Sequence, residues 1–136
     1  MTVKKTESGT TYRNRLCKSI VLAIRKLMQK GAPDHESLDM AAFVVLALER
    51  IAESVDSSAT AWEKKDYWLK ADQFRMEWAW VDHPQNVLES AVLGQDWKKI
   101  ATELITVAQY LGKVEVAEKN RLGEPWVGAW QVFKSR

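Results

Sequence analysis

Between Tyr12 and Met28 the apolar residues recur every three or four positions. Tyr12, Leu16, Ile20, Ile24 and Leu27 make one stripe, widened by Cys17, Val21 and Met28. Arg15, Lys18, Arg25, Lys26 and Gln29 fall on the other side, the pattern of an amphipathic helix. Leu22 stands alone on that polar side and is expected to be exposed. Thr10 or Thr11 can cap the start of this helix, and Gly31 followed by Pro33 stops it. A second helix, capped by Asp34, is apolar on nearly every side from Met40 to Leu48. A helix with no polar face is contacted by several others, so it is placed at the centre. The weak helix sequence DSSAT at 56–60 predicts a break or kink, with one continuous long helix as the alternative.

The third predicted helix, over about 58–82, carries two stripes instead of one. Tyr67, Ala71, Phe74, Trp78 and Val81 recur at spacings of four and three. Trp62, Leu69, Met76 and Trp80 recur at seven, seven and four and lie on the other side. Two stripes require two contacts, and the second is met by another part of the chain or by a partner. Pro84 ends this helix and opens a short one that stops at Gly94. Asp96 caps a longer one from Trp97 to about Lys119. After the loop NRLGEP at 120–125, Trp126, Trp130 and Phe133 return to helical spacing. This tail is too short to be a stable helix alone and is expected to dock on the bundle.

The expectation is an all-α fold: one compact bundle of four to five mostly antiparallel helices with a short aromatic C-terminal segment. Residues 1–10 are expected to be a flexible basic tail, 11–119 the bundle, and 120–136 the loop and docked segment. The core should hold Leu16, Ile20, Ile24, Leu27, Ala41, Val45, Leu48, Val55, Phe74, Trp78, Leu104 and Leu111.

Charge changes the picture more than its net value of +2 suggests. Residues 1–33 hold eight Lys/Arg and one acid, while the rest holds twelve Lys/Arg and seventeen acids. Such asymmetry points to a partner surface. Arg15, Lys18, Arg25 and Lys26 form the basic face, and nucleic acid is the partner that such cations would suit. Few groups on that face suit base-edge readout, and the acidic balance of the other helices would repel a duplex. The single cysteine, Cys17, fits a reducing compartment, and cytoplasmic location is the expectation. The longest uncharged apolar run, MAAFVVLAL, falls well short of the ~20 residues that span a bilayer, so no transmembrane segment is expected. The first fifteen residues lack the apolar stretch of a secretory leader. The tail's aromatics followed by Lys134 and Arg136 would suit a weak interfacial anchor, although docking on the bundle is the better use of them.

Candidate chemistry is sparse. His35 and His83 sit beside acids at helix starts, with no second ligand at metal-binding spacing. Phosphate-cradling glycine loops and nucleophile elbows are absent from the sequence. Glu49 and Glu53 share a helix face, and Glu63 with Asp66 follows in an ExxD spacing. That arrangement is loosely similar to the all-α nucleotide pyrophosphohydrolases, in which facing helical carboxylates hold Mg²⁺. The resemblance lacks their paired adjacent glutamates and places Arg50 where a second acid would help. No cofactor or metal is expected. The leading expectation is a non-enzymatic interaction module, self-associating as a dimer or binding another protein. Its interface candidates are Trp62, Leu69, Met76, Trp80, Trp126 and Trp130.

Overall fold

The helix that was expected to lie at the centre does so. In the computed structural model, which describes residues 7–136, α2 (His35–Glu63) touches α1 (Gly9–Met28), α3 (Trp68–Trp78), α4 (Asp82–Leu93) and the terminal α6 (Ala129–Lys134). The remaining helix, α5 (Trp97–Tyr110), packs on α4 and on α1. The fold is an all-α bundle without strands among the described residues, and none of its helices is long and apolar enough to cross a membrane.

Local chemistry explains most of the helix starts. Asp34 accepts the backbone N–H of Ser37 at 2.9 Å while the Ser37 hydroxyl accepts the N–H of Asp34 at 3.0 Å, a reciprocal cap. Lys30, then Ser37, hold the Asp34 carboxyl down to about 2. Asp96 caps α5 by accepting from the N–H of Lys99. The cap of α1 is Ser8, which accepts from the N–H of Thr11, so the helix starts two residues before Thr11. The expected basic tail falls largely in residues 1–6, outside the described residues, while Gly9 and Thr10 already belong to α1.

The expected break at 56–60 is absent, and α2 runs unbroken to Glu63. Tertiary contacts outweigh weak propensity here. Val55 and Ala59 are buried, and Ser54 and Ser58 both accept from the buried Arg13 of α1. The break comes instead at Asp66, whose φ of 64° turns the chain through a left-handed corner. The N–H of Tyr67 reaches back to Trp62 O and that of Asp66 to Glu63 O, the paired bonds of a Schellman motif. The same pair closes α4, where the left-handed residue is Gln95 and not the adjacent Gly94.

Two other boundaries move. Ala79–Val81 form a single 3₁₀ turn that leads directly into α4, so Trp80 belongs to neither α-helix. The long helix ends at Tyr110, not near Lys119. Residues 111–128 cross over α1 as a non-helical strap, with Val114, Val116 and Leu122 against the core and Trp126 buried within it. Arg25 fastens the strap by donating to Val116 O at 3.1 Å. Leu22, expected in solvent, is buried because the strap runs over that side of α1. The tail then docks on α2. Asp39 accepts from Gly128 N at 3.3 Å and from Trp130 N at 2.9 Å, so α2 caps the short α6. Phe133 is buried, and Arg136 pairs with Glu49 and Glu89.

Of the core residues named from the sequence, Leu16, Ile20, Ile24, Ala41, Val45, Leu48, Val55, Leu104 and Leu111 are buried. Leu27, Phe74 and Trp78 are half-buried and pack against that core from its edge.

Candidate interaction surface

The Schellman corner at Asp66 reverses the chain and lays α3 along α2. One side of α3 is fixed. Ala71 is buried, and Phe74 meets Trp62 edge to face at 4.9 Å. Arg75 grips Glu63 through two bonds of 2.8 and 3.1 Å and reaches Asp56 at 3.2 Å. Arg13 stands 4.7 Å over the Phe74 ring from beneath. Burial lowers the pKa of that guanidinium, and Cys17 and Glu77 partly oppose the shift. Arg13 has hydroxyl and carbonyl partners, with no carboxylate in salt-bridge range among the described residues.

The other side of α3 is bare. Leu69 is 72% exposed and Met76 77%, seven residues apart on one line. Trp68 at 57% and Tyr67 at 55% are also exposed, next to the corner. Lys70 and Glu77, also seven apart, run along one flank.

The six residues expected to form one interface are therefore dispersed. Leu69 and Met76 remain together on the ridge. Trp62 belongs to α2 and packs on Phe74, with the Lys70 ammonium 4.4 Å from its ring. Trp80 is covered from within the chain: Tyr110 of α5 stacks on it at 4.6 Å with the rings 6° apart. Trp126 is 2% exposed and is a core residue. Its indole N–H meets no acceptor among the described residues, so apolar area holds the ring in place. Trp130 is half-buried on α6, beside Phe133. The sequence pattern assigned Trp62 and Trp80 to one helix, left Trp68 in neither of its stripes and placed Tyr67 on the stripe that contains Ala71, although both residues are exposed. The signal that would have found them is Asp66, a residue type that tolerates the left-handed corner.

The basic face is also redistributed. Arg15 is held by Glu7 at 2.8 and 3.0 Å, which raises the pKa of the guanidinium and lowers that of the carboxyl. Arg25 is half-buried under the strap. Arg15, Lys18 and Arg25 line one groove with Arg121, whereas Lys26 faces a separate cleft.

The carboxylates that are loosely similar to a Mg²⁺ cluster do not gather. Glu49 pairs with Arg136 and Glu63 with Arg75, roughly 20 Å apart along α2 at helical rise. Among the described residues no group of three His, Cys, Asp or Glu is placed to hold a metal ion. Cys17 is buried and its thiol is pushed up to about 11 by desolvation, so it stays protonated at neutral pH. No protein-family model, curated protein or solved structure matches this chain.

Proposed function

We propose that the protein is a non-enzymatic interaction module that joins a second copy of itself through the outer ridge of α3. The reading rests on one observation: Leu69 and Met76 are 72% and 77% exposed on a helix whose opposite side is pinned. Apolar side chains concentrated in this way mark contact sites more often than scattered ones do. A second copy suits the ridge because its charges complement themselves. In a twofold antiparallel contact, each residue i meets j and each j meets i. Leu69 then meets Met76 of the other copy, and Lys70 meets Glu77, twice over. Asp72 falls near the axis beside its own copy, which weakens the pair. The lone buried cysteine suits a reducing, cytoplasmic setting.

Light scattering behind size exclusion tests this. The wild type is expected to rise from the monomer mass toward twice that mass with concentration, and Met76→Asp to stay monomeric. Lys70→Glu and Glu77→Lys should each weaken the pair alone and associate when mixed. Asp72→Asn should tighten it. A wild type that stays monomeric up to about 1 mM, the range of the weakest specific contacts, would sink the proposal.

A further inference from the structure

Away from Leu69 and Met76, α1 and the strap form a groove of about 860 Å³ in which cations dominate, and the cleft beyond it reaches α3 at Glu77 and Trp78. Arg15, Lys18, Arg25 and Arg121 line it against a single acid, Glu115. Arg121 is positioned by an ordered turn. The Asn120 side chain accepts from Leu122 N at 3.0 Å and donates to Ala117 O at 2.9 Å. The groove does not end there. Lys18, Val114 and Glu115 also line a neighbouring cleft of about 670 Å³. The far wall of that cleft is aromatic: Trp78, Trp80 and Tyr110. Trp80 lies between the other two rings, 6.5 Å from Trp78 and 4.6 Å from Tyr110. Tyr110 spends one face on Trp80 and is still 57% exposed.

Cations at one end and an open aromatic face at the other form a two-part site, and we infer that it binds single-stranded nucleic acid. Phosphates sit among Lys18, Arg25 and Arg121, and a base stacks on Tyr110. Unpaired strands are held by this combination, because a basic groove tracks the backbone and every base has a face to stack. The polarity of α5 agrees with this assignment. Tyr110 is its last residue, and the partial negative charge of a helix C-terminus disfavours phosphate there while leaving a neutral base unaffected. Glu77 and Glu115 also line the aromatic end, and Lys18 and Lys113 offset them. A duplex, whose bases are already stacked on one another, has no free face to offer Tyr110.

The test is fluorescence anisotropy of a labelled twelve-nucleotide oligothymidylate, against an abasic strand of equal length. At about 50 mM salt the wild type is expected to bind the oligothymidylate, and affinity should fall about tenfold or more by about 200 mM. Lys18→Glu with Arg121→Glu should weaken binding about tenfold or more. Lys64→Glu, the same kind of charge change outside the groove, should alter it less than about twofold. Tyr110→Leu keeps apolar cover over Trp80 and should cost about fivefold or more, and the abasic strand should bind more weakly by a similar factor. Glu115→Gln should tighten binding. Melting curves matching the wild type confirm that each variant is folded. Absence of binding at low salt would overturn the inference. So would equal binding of the two strands with Tyr110→Leu unaffected, because the groove would then attract any polyanion.

Discussion

The helices α2 and α3 are neighbours in sequence, and each is apolar on more than one side, yet they meet opposite fates. Most of the apolar surface of α2 is covered, by α1, α3, α4 and α6 in turn, with Phe43 and Leu46 half-buried. Only one side of α3 is covered, and Leu69 and Met76 face water. An apolar stripe therefore states that contact would be favourable and leaves open whether the chain provides it. Where other helices close over the stripe, it becomes core. Where none does, it remains available to a partner.

Truncation inside each helix should break the comparison most sharply. At dilutions where the protein is monomeric, Leu48→Ala in α2 removes a fully buried side chain and should cost about 3 kcal/mol in urea unfolding, while Leu69→Ala on the ridge should stay within about 0.5 kcal/mol. Equal costs would mean that the ridge is covered in the monomer. Next comes Arg13, which joins the inner side of α3 to α1 and α2. Arg13→Ala strands Ser54 and Ser58 and uncovers Phe74, at about 2 kcal/mol, again by urea unfolding.

The attachment of α3 can then be loosened without touching the core. Arg75→Gln removes the grip on Glu63 and Asp56. Amide exchange across 69–78 should speed up while residues 40–51 of α2 keep their protection. The mildest change is at the start of α2. The Asp34 carboxyl is held at about 2, below its ordinary 3.8, chiefly by Lys30 and then by Ser37. A depressed carboxyl stabilises the fold above its unfolded pKa, and that contribution is lost as pH falls through the folded value. Asp34→Asn should thus narrow its stability gap to the wild type between about pH 4 and pH 2, and a constant gap would remove the ion pair from the account.

How much of this was legible beforehand differs from residue to residue. The reciprocal cap at Asp34 and the cap at Asp96 were readable, because each bond spans three residues. The end of α5 was not. Val114 continues the helical spacing of Leu104, Val107 and Leu111, but it and Val116 leave the helix to pack across α1, a contact made nearly a hundred residues away in sequence. Leu22 looked exposed for the same reason: the strap that buries it is invisible from within α1.

The sequence by itself determined that the chain is helical, that α2 lies at the centre, and where two of its caps fall. These depend on side chains within one turn of each other, whose spacing is written in the sequence. Tertiary structure alone decided which stripe was covered. It placed Tyr110 on Trp80, drew Trp126 inward, brought Arg121 into one groove with Lys18, and left Leu69 and Met76 exposed. Each of those outcomes depends on where distant segments pass one another, and the hydrophobic effect, being non-directional, sets no preference for which apolar surface meets which.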